Sequence, residues 1–172
     1  MPIHCSYFDT SLGVCGVAWA ERGIVRTFLP EPSEDAARGV LMRRLPDAHE
    51  FPAPDDVRRL ARDVARLLTG ERVDLGWVQL DAAGVPAFDR SVYAVARDIP
   101  PGATITYGDV ARRLGDVALA RDVGVALGRN PFPIVVPCHR VLAAGGRTGG
   151  FSARGGTETK MQLLRIEGAV LL

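Results

Sequence analysis

The chain has 172 residues, 47% apolar and 24% charged, with a formal net charge of +1. That length holds one ordinary domain or two small ones, and the composition excludes a disordered chain. No apolar tract is long enough to span a membrane, and the three cysteines lack the spacing of a disulfide framework, so a cytoplasmic location is expected.

Residues 1–5 carry neither a basic segment nor a long apolar run, so no secretory signal is expected. Residues 3–7, 13–18 and 23–28 read as three strands parted by turn residues, an antiparallel meander. Ser33 is suited to cap a helix reaching about Arg44, with Glu34 and Asp35 in its first turn. Val57, Leu60, Ala61, Val64, Leu67 and Leu68 form the apolar face of a second helix over 54–69, with Gly70 beyond it. Residues 76–80 read as a further strand, and 81–85 as a linker. Beyond it, Phe88, Val92 and Val95 mark an amphipathic helix that ends before Pro100. Residues 104–107 are short and β-branched, 108–114 make a compact helix, and helical periodicity resumes over 118–127. Helix, tight turn and helix predict a helix-turn-helix. Thr157 is suited to cap a last helix whose Met161 and Leu164 face inward. The fold class expected is α+β. A small N-terminal α/β domain (1–84) of antiparallel strands and helices precedes a mostly helical C-terminal domain (85–172) containing the helix-turn-helix.

Charge is divided unevenly between the halves. Residues 1–86 hold 10 arginines against 13 acids, whereas 87–172 hold 11 basic residues against 7 acids. A basic second half suits a nucleic-acid partner, and every base but Lys160 is arginine, the residue matched to bidentate phosphate contacts.

That half also contains the tract Asn130-Pro131-Phe132-Pro133-Ile134-Val135-Val136-Pro137-Cys138-His139-Arg140-Val141. Residues 134–136 read as a short buried strand whose ladder Pro137 ends. A thiol attacks as its thiolate, so something must take its proton, and the histidine next to Cys138 has the pKa for it. A carboxylate is the usual group to orient such an imidazole, and Glu167 is the candidate. A lone cysteine is most often a packing residue. A proline, a histidine and an arginine around it point instead to a nucleophile.

The Pro-Cys-His-Arg tract resembles the active-site motif of the methylated-DNA–protein-cysteine methyltransferases, the O6-alkylguanine-DNA alkyltransferases. The resemblance runs from Phe88 to Gly168 and takes in, in the family's order, Ile105-Thr106-Tyr107-Gly108-Asp109-Val110-Ala111, Ala120-Arg121-Asp122-Val123-Gly124, Arg129-Asn130-Pro131 and Phe151-Ser152-Ala153-Arg154-Gly155-Gly156. It implies DNA repair by direct reversal, in which Cys138 takes a methyl or alkyl group from O6-alkylguanine in a single turnover. His139, oriented by Glu167, would draw the thiol proton through a water. By the same resemblance the helix-turn-helix enters the minor groove of double-stranded DNA and flips out the target base. Arg121 would fill the vacated space, Ala120 and Gly124 would let the helix approach the backbone, and Tyr107 would rotate the phosphate and bond the flipped guanine. Asn130 would tie the helix-turn-helix to the active-site segment. Leu127, Val141, Phe151 and Ser152 would line the guanine pocket, with Phe151 standing where some members have tyrosine. Lys160 matches a family lysine near the site, although a surface lysine is the default reading of a helix position.

The resemblance implies no cofactor, no obligate protein partner and no membrane association. His4, Cys5, Cys15 and His49 lack the spacing of a zinc site, so no metal is expected. The alternative is a non-catalytic alkyltransferase-like protein that binds lesions, against which the cysteine itself speaks. A helix-turn-helix regulator and a cysteine hydrolase are further readings. The first is not expected, since 172 residues leave no room for an additional DNA-binding domain and show no metal-thiolate sensor cluster, and the second would need an oxyanion hole.

Overall fold

A computed structural model describes residues 1–146 and 157–169, which form two compact units. The first comprises residues 1–84 together with 131–135, and the second 85–130 with the residues from 136 onward. Division at 84/85 is therefore interrupted once, because the approach to Cys138 belongs to the first unit.

In the first unit, β1 (His4–Thr10) and β2 (Gly13–Ala20) make an antiparallel hairpin in unbroken register from His4 opposite Trp19 to Thr10 opposite Gly13. The Thr10 hydroxyl sets the turn, accepting from the Leu12 amide at 3.2 Å and donating to the Gly13 carbonyl at 2.8 Å. Gly13 has φ +134°, and a Cβ there would lie 2.3 Å from the Glu31 carbonyl oxygen, so glycine is required. β3 (Gly23–Thr27) pairs with β2 across a bulge at Ala18/Trp19. A two-residue β4 (His49–Glu50) adds a parallel edge to β1, giving the order β3-β2-β1-β4 and one strand more than the expected meander.

Ser33 caps α1 (Glu34–Arg44) by accepting from the Ala36 amide, as expected, and Leu41 packs with Cys5, Ala18, Phe28 and Ala48. α2 (Asp55–Leu67) buries Val57, Leu60, Val64 and Leu67 at helical spacing. Residues 76–80 do not form the expected strand and contribute only an isolated bridge, Leu80 to Ile24. Two backbone bonds to Ile24 of β3, from its amide to the Gln79 carbonyl at 2.9 Å and from the Asp81 amide to its carbonyl at 2.7 Å, hold this segment together with side-chain contacts. The Trp77 indole donates to Asp63 on α2 at 3.1 Å, and the Arg59 guanidinium lies 4.0 Å from its ring centroid.

The expected strand at 134–136 is also absent. Residues 133 and 136 are isolated bridge positions around a turn, and Ile134 has φ +76°. Pro131 and Pro133 have no N–H to donate, so no ladder can run through them. The segment is held by Thr27 of β3, whose amide and hydroxyl donate to the carbonyls of Pro131 at 3.1 Å and Pro133 at 2.8 Å.

The second unit opens with α3 (Ala87–Arg97), which buries Val92, Tyr93 and Ala96. β5 (Ile105–Thr106) pairs in parallel with β6 (Val141–Leu142), bringing the head of the next helix beside the residues that follow Cys138. That helix, α4 (Tyr107–Arg113), begins in a capping box: Thr106 accepts from the Asp109 amide at 3.0 Å and the Asp109 carboxylate accepts from the Thr106 amide at 2.9 Å. Leu114, Gly115 and Asp116 lead into a 3-10 turn (Val117–Leu119) and α5 (Ala120–Gly128), a succession consistent with the expected helix-turn-helix. α6 (Thr157–Ile166) completes the described part. No described helix is long and apolar enough to cross a membrane.

Candidate active site

Cys138 begins a single 3-10 turn (Cys138–Arg140) whose three residues are all buried. Pro137 precedes it, and the Cys138 amide donates to the Val136 carbonyl at 2.7 Å. A 3-10 turn places consecutive side chains about a third of a revolution apart, so Cys138 and His139 are not driven to opposite faces as on a strand.

Glu167 anchors the site from the end of α6, where its amide extends the helical pattern to the Leu163 carbonyl at 3.1 Å. His139 Nε2 lies 2.7 Å from Glu167 Oε1. Arg140 donates from Nε to Oε2 at 2.9 Å, from Nη2 to Oε1 at 2.8 Å, and from Nη1 to the Ile99 carbonyl at 2.6 Å. Burial alone would raise the Glu167 pKa, but the bonds from His139 and Arg140 outweigh it and bring the carboxyl to about 2. Burial lowers the His139 pKa against the pull of Glu167, which keeps the imidazole neutral and able to accept a proton. With Nε2 engaged by Glu167, Nδ1 is the ring nitrogen left for proton exchange.

Burial also pushes the Cys138 thiol up. Three influences pull it down: a hydrogen bond with the Asn130 amide, the charge of Lys160, and the backbone N–H groups of Cys138 and His139. Asn130 donates in addition to the Val136 carbonyl at 2.9 Å, so one amide joins the end of α5 to the turn carrying the thiol. Lys160 is 1% exposed, which corrects the surface reading of this position. Its Nζ donates to the Val141 carbonyl at 2.7 Å and lies 5.8 Å from the Tyr107 ring centroid, and burial lowers its pKa to about 8.

Tyr107 is the first residue of α4, half-buried, and its ring lies along Gly124 of α5, where a Cβ would come within 3.7 Å. Burial and the neighbouring Cys138 raise its pKa, so its hydroxyl stays protonated as a donor. Arg121 is exposed in the first turn of α5 with Ala120 beside it half-buried. Val141 is fully buried as part of β6, and Leu127 is 6% exposed. Phe151, Ser152 and the loop around them lie outside the described residues. Among the described residues no cluster of His, Cys, Asp and Glu is arranged to hold a metal ion.

Cys138, His139, Glu167, Asn130 and Tyr107 thus share one neighbourhood. Two further contributors, Arg140 and Lys160, had no role assigned from the sequence. A signal for the second was present: residues 160, 163, 164 and 167 follow the spacing of a single helix face, and two of them, Leu163 and Leu164, are apolar.

A family model described as 6-O-methylguanine DNA methyltransferase, DNA binding domain, matches residues 87–169. The methylated-DNA–protein-cysteine methyltransferase of Methanothermobacter thermautotrophicus is 34% identical over 91% of this chain and 80% of its own length. Among solved structures, Mycobacterium tuberculosis OGT in complex with DNA superposes with a TM-score of 0.74 at 28% identity, covering 96% of this chain and 92% of that one. The O6-methylguanine-DNA methyltransferase of Pyrococcus kodakaraensis gives 0.71 at 30% identity, covering 97% and 99%. Fold and site together define an α+β protein in which a buried cysteine is followed directly by a histidine bonded to a buried carboxylate. The chain belongs to the methylated-DNA–protein-cysteine methyltransferase family.

Proposed function

We propose that Cys138 is the acceptor through which this chain repairs DNA, taking the alkyl group from O6 of guanine in a duplex. Membership of the family makes the chain a DNA-binding methyltransferase that acts in DNA repair; the residue roles are our reading of the site. One observation carries it: Glu167 binds both His139 and Arg140 at 2.7–2.9 Å in the turn that begins with Cys138. Such a relay prepares a thiol for attack, and its carboxylate stays ionised to hold the imidazole in one tautomer.

In the step proposed, a bond forms between Cys138 Sγ and the alkyl carbon as the carbon–O6 bond breaks. The thiol proton passes to His139 through a water, and guanine leaves neutral after taking up a proton. Tyr107 supplies a hydroxyl donor on the guanine side. The charge on Lys160 favours the thiolate, and Arg121 on α5 would enter the duplex where the base has left. The product is a thioether that no internal group cleaves, so each molecule reacts once. All three cysteines are free, which supports a reducing compartment such as the cytoplasm.

A non-catalytic lesion-binding role is disfavoured by the nucleophile and its relay. Replacing Cys138 by serine separates the two. Cys138→Ser is expected to bind a duplex carrying O6-methylguanine but leave the methyl on the DNA. Methyl removal by this variant would refute the assignment.

A further inference from the structure

Two side chains of α3 grip the last turn of α5. Asp89 and Tyr93 are four residues apart and share a helix face. The Tyr93 hydroxyl donates to the Ala126 carbonyl at 2.7 Å. The Asp89 carboxylate, 1% exposed, accepts from Arg129 Nε at 2.6 Å and from Nη2 at 2.9 Å.

A buried carboxylate held by one guanidinium is a poor way to gain stability, because desolvation offsets most of the attraction. What the pair does provide is a fixed direction, since a fork-to-carboxylate contact constrains both partners in a plane. Arg129 is the C-cap of α5, and the next residue is Asn130. The Asn130 amide donates to the Val136 carbonyl at 2.9 Å and hydrogen-bonds the Cys138 thiol. A chain of contacts therefore runs from Asp89 through Arg129 and the backbone of Asn130 to the sulfur.

We propose that Asp89 and Arg129 are positioning residues for alkyl transfer, fixing the Asn130 amide and through it the Cys138 thiol. The inference rests on Cys138 being the nucleophile. Arg129 also has a simpler reading, since its side chain is 57% exposed and a basic group on α5 could touch a DNA phosphate. Two nitrogens of its fork are nevertheless turned to Asp89.

The test is single-turnover methyl transfer from a duplex containing one O6-methylguanine, with limiting rate and half-saturating DNA concentration measured separately. In Asp89→Asn and Arg129→Gln the limiting rate is expected to fall about tenfold, as for a small misplacement of a reacting group. Half-saturation should stay within about twofold of wild type, because the lost contact is not made with DNA. Arg129→Lys keeps the charge without the fork and should recover part of the rate. If a single variant fails to fold, the double variant Asp89→Asn/Arg129→Gln leaves no buried charge unpaired and gives the same readout. Unchanged limiting rates with lowered melting temperatures would overturn the proposal in favour of a purely structural pair. Weaker half-saturation in Arg129→Gln alone would overturn it in favour of a phosphate contact. A wild-type protein that acquires no methyl on Cys138 would instead overturn the nucleophile assignment beneath it.

Discussion

Glu167 accepts hydrogen bonds from an imidazole and a guanidinium while 8% exposed, so its charge is built into the folded state. Its folded pKa of about 2 lies below the ordinary 4.5, so the stability it contributes is present above pH 4.5 and is lost as pH falls toward 2. His139 is held neutral below its ordinary 6.5, so the unfolded chain takes up a proton first and acidification again favours unfolding. Denaturant midpoints are therefore expected to fall steadily from neutral pH downward. Glu167→Gln should flatten the portion below pH 4.5. A profile unchanged by that substitution would contradict the assignment. The same variant is expected to lose about 3 kcal/mol of stability from the disturbed Arg140 pair. Its transfer should slow about a hundredfold as the imidazole loses its orienting charge. Lys160 acts on the thiol by charge alone, with a pKa of about 8 that leaves it mostly protonated at neutral pH. Lys160→Met should move the thiol's pH–rate midpoint upward and slow transfer at neutral pH about tenfold. An unmoved midpoint would show that the lysine serves only Val141. The pairing of Glu167 with His139 next to Cys138 was legible in the sequence because each proposed role admits few residue types. The burial of Lys160 was only hinted at by its place on the helix face of Leu163 and Leu164, because a lysine on a helix is usually solvated and packing shows where its stem goes.

α4 depends on its first turn. The capping box at Thr106 and Asp109 fixes Tyr107, the first of the two residues between them, against Gly124 of α5. Thr106→Ala removes one partner of that box and should cost about 1 kcal/mol, seen as a lowered thermal midpoint. Unchanged melting would mean that β5–β6 pairing, not the cap, holds the start of α4. Helices with clear apolar faces and Ser33 capping were legible in advance, because periodicity and capping are local properties. The strands expected at 76–80 and 134–136 were not realised. Apolar runs bounded by prolines or glycines do not reveal whether a ladder partner exists, and here two backbone bonds to Ile24 with an indole–carboxylate bond, and the two carbonyl contacts of Thr27, take its place. Proline at 131 and 133 was the available warning.

At the scale of the molecule, the division of labour follows the charge. The half carrying Cys138 holds 11 basic residues against 7 acids, and the other holds 10 against 13. Arg121 lies exposed at the head of α5, so Arg121→Ala should slow methyl transfer from duplex DNA while leaving Cys138 as reactive toward a small soluble alkylating agent as before. Equal losses in both assays would place the effect on the thiol rather than on the DNA. Residues 131–135 belong to the first unit and lead within three residues to Cys138, an arrangement that sequence order could not disclose because it arises from long-range pairing with β3.

Intact and peptide masses after incubation with a duplex containing one O6-methylguanine test the central claim most directly. One added methyl per molecule, mapped to the peptide holding Cys138 and rising no further with excess DNA, is the expected result. An unmodified protein that still binds the lesion, or a methyl on another cysteine, would contradict it.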